Sequence, residues 1–158
     1  MLDQIDRRIL GILQDDARTS NAEIARQVGM AASAVLERVR KLEERGAIKG
    51  YNARLNPDRL DLGLLAYIFV KTSDGCWCDT TSRKISSFDE VLACHSITGE
   101  DCYLVKVCAR NTKDLNHFLR TRFAPIKSIV STRTTIVLET SKETLKMPIR
   151  EVHDDVSE

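Results

Sequence analysis

The sequence predicts an α+β chain: an N-terminal winged-type helix-turn-helix unit joined to a C-terminal ferredoxin-like βαββαβ unit. Three observations carry this. Apolar residues recur at helical spacing through the first third, in short stretches stopped by Gly29 and Gly46. After Gly63 the pattern turns to runs of β-branched and aromatic residues. Those runs alternate with two helical stretches in the order β-α-β-β-α-β.

Leu2, Ile5, Ile9, Leu10 and Leu13 form the apolar stripe of a first helix, with Asp3 and Asp6 in its early turns to complement the dipole. Asp15 and Asp16 mark a break. Ser20 or Thr19 caps a second helix over residues 21–28, and Glu23 stands three residues after Ser20, as a capping box requires. Ile24, Ala25 and Val28 point inward, and Gly29 closes the helix in a left-handed conformation. A third helix is expected over residues 32–45, with Val35, Val39 and Leu42 as its buried stripe.

In a helix-turn-helix the second helix of the pair enters the major groove with its N-terminal turns nearest the bases. Ser33, Ala34, Glu37, Arg38 and Lys41 lie off the apolar stripe and face outward. Ser33 suits a base edge or phosphate, and Ala34 a thymine methyl. Arg38, Arg40 and Lys41 suit phosphates, which supply affinity and register more than discrimination. From these residues alone, a solvated helix face is an equal alternative.

Residues 51–62 read as a linker strand or hinge, turning at Asn56-Pro57, between a domain over 1–50 and another over 63–142. In the second domain, strands are expected over 64–71, 91–97, 102–109 and 129–138, and helices over 80–88 and 111–123. Asn111 or Thr112 caps the last helix, with Leu115, Phe118 and Leu119 inward. Both helices of such a unit cover one sheet face. Tyr67, Phe69 and Val105 are candidates for the other, whose burial favours a dimer. Residues 143–158 read as a partly ordered, acidic tail.

The 158 residues accommodate two small domains. A 42% hydrophobic, 30% charged composition excludes a disordered chain. The net charge of +1 demands no nucleic-acid partner, so that reading rests on local arrangement. There is no 18-residue apolar run and no signal-peptide pattern, which points away from membranes and towards the cytoplasm. Five cysteines at irregular spacing argue against a disulfide framework. Cys76-Trp77-Cys78 is a weak metal candidate, half of a closed zinc site, with reversible oxidation as its alternative. Cys94 and His95 point to opposite strand faces, while Cys102 and Cys108 read as small hydrophobes. No metal site or cofactor is assigned.

A long ordered set of segments resembles the leucine-responsive/asparagine-regulator (Lrp/AsnC, feast/famine) family over about residues 2–142. It comprises residues 2–10 (LDQIDRRIL), 21–25 (NAEIA) leading to Val28-Gly29, 37–51 (ERVRKLEERGAIKGY) and 98–104 (TGEDCYL). The resemblance implies a transcription regulator that binds double-stranded DNA. It further implies dimers formed through the second domain's sheets, which assemble into tetramers, octamers or open spirals. An amino acid or related metabolite would then occupy a cleft between subunits. Matched to this sequence, the effector residues are Gly99, Glu100, Asp101, Tyr103 and Leu104, with Thr132 and Thr134 from the neighbouring subunit's last strand. The chemistry fits: backbone N–H groups at Gly99 suit a carboxylate, and Asp101 suits an ammonium. The structural alternative is a plain hairpin that Gly99 permits and Asp101 solvates.

Two departures stand out. Ala31 occupies a position where relatives commonly carry a capping serine, leaving Ser33 to cap a shifted helix or the end to fray. The turn lacks the aromatic that commonly precedes the acidic residue in relatives. Two further readings remain open. One is an architectural DNA-packaging protein without a ligand. The other is a sirohaem-decarboxylase-like enzyme using His95 or His117 with Arg110, Arg120 and Arg122. No nucleophile–base pair supports the second.

Overall fold

A computed structural model describes residues 2–76 and 79–149. The metal candidate Cys78 and residues 150–158 of the expected tail fall outside these. The chain divides into two compact units, one of residues 1–54 with 142–158, the other of residues 55–141. Among the described residues no helix is long and apolar enough to cross a membrane.

The first unit holds three helices, α1 (Gln4–Asp15), α2 (Asn21–Val28) and α3 (Ala32–Glu44). α1 begins two residues later than its apolar stripe suggests, because Asp3 is its cap. The Asp3 carboxylate accepts the Asp6 N–H at 2.7 Å, and the Asp6 carboxylate accepts the Asp3 N–H at 3.3 Å. The Ser20 hydroxyl accepts the Glu23 N–H at 3.2 Å, but the box expected there is only half made. Glu23 instead pairs with Arg26 and accepts from Gln27 one turn on, since a cation and an amide on its own helix face compete for the carboxylate. Gly29 takes φ 72° and Gly46 φ 69°, left-handed positions that stop α2 and end the turn after α3. Ile9, Ile24 and Val35 are fully buried, with Leu13, Ala25, Val28, Val39 and Leu42 around them. Each comes from the stripe that the 3.6-residue period assigns.

Of the strand or hinge expected over residues 51–62, no strand forms: residues 51–56 join no sheet, and a 3₁₀ turn follows at Pro57–Leu60. An extended segment lacking a neighbour to share its hydrogen bonds is not a strand. A wing strand is likewise absent among the described residues of the first unit. Instead, residues 142–149 lie against α1. The Gln14 amide donates to the Met147 carbonyl at 3.1 Å and accepts the Met147 N–H at 3.0 Å, Lys146 pairs with Asp15, and Arg54 donates to the Glu143 carbonyl at 3.3 Å.

After α3 the linker is latched by Tyr51, whose hydroxyl donates to Glu43 Oε1 at 2.9 Å. Desolvation, then this bond and the carboxylate charge, push the phenol up from 10.0 to about 12. The fold therefore favours the neutral phenol. That contribution is complete below pH 10.0 and lost as pH rises through about 12. A late tyrosinate absorbance step centred near 12 is expected, and Tyr51→Phe should remove it. Persistence of the step in the variant would refute the latch.

The second unit is a four-stranded antiparallel sheet of order β2-β3-β1-β4, made of β1 (Leu64–Thr72), β2 (Val91–Ser96), β3 (Tyr103–Ala109) and β4 (Ile129–Ile136). Helices α4 (Asp79–Ser86) and α5 (Thr112–Phe118) provide the expected crossovers. The ferredoxin-like order holds. Ala66, Ile68 and Val70 from β1 and Tyr103, Val105 and Val107 from β3 are buried with Ile85, Leu115 and Phe118. Val105 therefore faces the core, opposite Ile68, and not the open face as expected. Register decides this: a one-residue shift moves every side chain to the other face. Tyr67 and Phe69 do lie on the opposite face, half-buried with Leu104. α5 is shorter than expected, since a π-helical turn follows at Leu119–Phe123 and swings Phe123 into the core.

Candidate functional sites

Two sites rest on these units, one on α3 and one on the turn before β3. With Val35, Val39 and Leu42 buried, the opposite face of α3 exposes Ser33, Glu37, Arg40 and Lys41, with Ala34 half-buried beside them. Ala31 is the cap residue and makes no side-chain cap hydrogen bond. Ser33 does not replace it, because α3 starts at Ala32 and places Ser33 inside the first turn. The first N–H groups of α3 thus carry no side-chain cap from Ala31, and they share an end with Ser33 and Ala34.

Arg38 departs from the phosphate-clamp assignment. Its guanidinium donates to Asp3 at 2.6 Å and to Asp6 at 2.7 Å, locking α3 to the capping box of α1. The Asp6 side chain is only 10% exposed, so the arginine neutralises a largely desolvated carboxylate. Arg40 pairs with Glu44 at 2.8 Å and Lys41 with Glu37 at 3.6 Å, both along α3 and both exposed. Exposed pairs of this kind exchange partners at little cost, which leaves Arg40 and Lys41 able to meet a polyanion. Arg8, absent from the sequence-based set, donates to the Gln27 carbonyl at 2.7 Å and braces α2.

In the second unit Gly99 sits at φ 122°, and the turn closes through Ile97 N–H to Cys102 C=O at 3.0 Å and Cys102 N–H to Val70 C=O at 2.8 Å. Gly99 and Glu100 are exposed and Asp101 half-buried. Asp101 accepts from Arg133 at 3.2 Å, and that guanidinium lies 3.9 Å from the centroid of the Phe69 ring. Arg133 escaped the sequence reading. The signal lay in strand alternation, which puts it on the face opposite Thr132 and Thr134.

The expected effector set does not converge within one chain. Tyr103 is 1% exposed and belongs to the core, so its ring packs under the helices. Leu104 lies on the open sheet face. Thr132 and Thr134 sit opposite Val70 and Ile68, on the helix-covered side at the sheet edge. Of these, the chain brings Asp101 of the turn to Arg133 of β4, with Gly99 and Glu100 on the same turn.

Cys76 does not join a metal set. It forms a disulfide with Cys102, with Cα atoms 4.3 Å apart, which also corrects the reading of Cys102 as a plain small hydrophobe. Pairing across 26 residues is a tertiary fact that no local pattern encodes. Among the described residues no group of three or more His, Cys, Asp or Glu side chains stands ready for a metal ion. His95 and His117 are exposed and lie on different elements, β2 and α5.

Both units match family models. Residues 2–43 match the AsnC-type helix-turn-helix domain, and residues 65–147 match the Lrp/AsnC ligand binding domain. The chain is 37% identical to an HTH-type transcriptional regulator of Pyrococcus abyssi, over 94% of this chain and 97% of that one. It is 34% identical to the leucine-responsive regulatory protein of Escherichia coli, over 94% and 92%. A transcriptional regulator of Neisseria meningitidis in complex with L-Met superposes with a TM-score of 0.86 at 29% identity, covering 94% of this chain and 97% of that one. Helix-turn-helix, four-stranded ligand-domain sheet and end-to-end similarity agree: the chain belongs to the Lrp/AsnC family of helix-turn-helix transcriptional regulators.

Proposed function

We propose that the chain is a sequence-specific DNA-binding regulator that responds to an amino acid, with α3 reading the major groove and the Gly99–Asp101 turn serving as part of the effector site. The observation that carries it is α3 itself. A buried stripe of Val35, Val39 and Leu42 fixes which face points out, and that face presents Ser33, Ala34, Glu37, Arg40 and Lys41. Ser33 and Ala34 lie in the first turn, nearest the bases in this docking geometry. Arg40 and Lys41 reach phosphates, and Arg38 holds the helix to α1. The AsnC-type helix-turn-helix and the Lrp/AsnC ligand binding domain favour a regulator over the sirohaem-decarboxylase-like reading.

At the effector turn, Asp101 suits a ligand ammonium, and Arg133 and the Gly99 backbone suit a carboxylate. L-Met, the ligand of the Neisseria meningitidis relative, carries both groups. The half-buried open-face residues Tyr67, Phe69 and Leu104 favour a dimer through this sheet, assembling further to a tetramer or octamer. Thr132 and Thr134 of a second copy then become available to the turn. The protein acts in the cytoplasm, where its DNA is.

The test is a titration onto the chain's own upstream DNA and a scrambled duplex at fixed salt, with each of the twenty amino acids. Preference for the upstream DNA, shifted by one amino acid, is the expected result. Equal binding to both duplexes, unaffected by any amino acid, would favour the packaging reading. No binding to either would overturn the proposal.

A further inference from the structure

We propose that Cys76 and Cys102 form a reversible thiol–disulfide site whose bond sets the freedom of the Gly99–Asp101 turn. The bond lies at the base of that turn. Cys102 immediately follows Asp101, and its backbone is held on both sides, by Val70 C=O at 2.8 Å and Ile97 N–H at 3.0 Å. Beyond these two bonds, the tip of Thr98, Gly99 and Glu100 projects exposed, with Asp101 tied to Arg133 at 3.2 Å.

Cys76 belongs to the loop that joins β1 to α4. The Thr72 hydroxyl donates to the Gly75 carbonyl at 3.2 Å, Asp74 accepts from Thr81 of α4 at 2.7 Å, and Thr81 meets the Ser128 hydroxyl at 2.7 Å. The disulfide is thus a strut between a loop fixed to α4 and the root of the turn. The two residues differ in exposure: Cys76 is half-buried at the edge of the core, whereas Cys102 is 4% exposed. Cys94 and Cys108 lie on β2 and β3, away from this strut, and burial pushes both thiols up, which disfavours the reactive thiolate.

Reduction follows from that asymmetry. A thiolate of a low-molecular-weight dithiol attacks the accessible Cys76 sulfur, and Cys102 leaves as a thiolate and takes a proton. The second thiolate of the reductant then displaces Cys76, which also takes a proton, and the reductant closes to a cyclic disulfide. Two electrons and two protons pass to the protein. A low-molecular-weight disulfide reverses the sequence by forming a mixed disulfide with Cys76 that Cys102 resolves. With the strut open, the backbone bonds and the Asp101–Arg133 pair remain to hold the turn. The consequence for amino-acid affinity rests on the reading of this turn as the effector site; the redox coupling itself does not.

The test is amide hydrogen exchange of Ile97 and Cys102, whose N–H groups close the base of the turn, in the full-length protein, after a dithiol and after oxidised glutathione, with peptide mapping of alkylated cysteines. Mapping is expected to show Cys76 and Cys102 joined after oxidation and both alkylated after reduction. Exchange in the turn is expected to speed at least about tenfold on reduction, against unchanged exchange in α1 and α3. Cys76→Ser, at the more accessible position, should exchange at the reduced rate under both conditions. Pairing of Cys102 with Cys78, a bond that no dithiol opens without denaturant, or a turn whose exchange ignores the redox state would each overturn the proposal. Because no amino acid is added, failure here is separate from failure to find an effector.

Discussion

Phe123→Ala is expected to destabilise the C-terminal unit by about 3–5 kcal/mol. The ring is 2% exposed, with centroids 5.2 Å from Phe118 and 6.4 Å from Phe88. Phe88 in turn meets Phe118 edge-on at 6.0 Å, so one ring touches both others of a triangle between the helices and the sheet. Phe123 reaches that position because the chain widens into a π-helical turn after α5. A continued α-helix would turn the ring elsewhere. Truncation thus leaves a cavity and removes the reason for the widened turn. Denaturant unfolding followed by far-ultraviolet circular dichroism checks this. A lower midpoint with unchanged slope is the expected outcome. A loss below about 1 kcal/mol would show that Leu119 and its neighbours collapse into the space, and that the ring does not hold the turn.

Arg38→Ala is expected to destabilise the helical unit by about 1–3 kcal/mol, chiefly because the nearly buried Asp6 carboxylate loses its cation. Asp3, half-exposed, adds little. Arg38→Lys should recover only part, since one ammonium does not reproduce the fork that reaches both carboxylates. The same variant separates two roles in DNA binding. If Arg38 positions α3, affinity falls while the dependence of log K on log salt keeps its slope. A phosphate contact would lower that slope by about 0.9. The structure favours the unchanged slope, and a reduced slope in folded protein would return Arg38 to the phosphate set.

The same cluster sets an acid limit. Asp3 is held below its ordinary 3.8, first by the Asp6 N–H and then by the Arg38 guanidinium. A depressed carboxyl stabilises the fold fully above 3.8 and ceases to do so as pH falls through its lowered value. Asp3→Asn should flatten the stability profile of the helical unit in that acid window, as followed by circular dichroism.

Much of the architecture was legible because it is written in local periods. The stripes of α1, α2 and α3, the left-handed stops at Gly29 and Gly46, and the strand–helix order of the second unit depend on neighbours a few residues apart. The misses share a different character. Arg38 and Val105 were placed outward because a period gives a face, whereas what that face meets depends on distant chain. Of the two readings of the linker, strand or hinge, the strand failed because a residue pattern does not supply a pairing partner. Residues 143–158 read as tail, yet Met147 exchanges two hydrogen bonds with Gln14 across most of the chain length.

The sequence by itself determined two units, their helices and strands, the buried stripe that orients α3, and the glycine turn before β3. These follow from covalent spacing and residue shape. Only the tertiary structure decided that Arg38 belongs to α1's capping box, that Tyr103 is core, that Arg133 faces Asp101, and that Cys76 finds Cys102. Each of these depends on sheet register or on contacts between residues remote in sequence. A shift of one residue or a change of packing would exchange their partners without altering any local pattern.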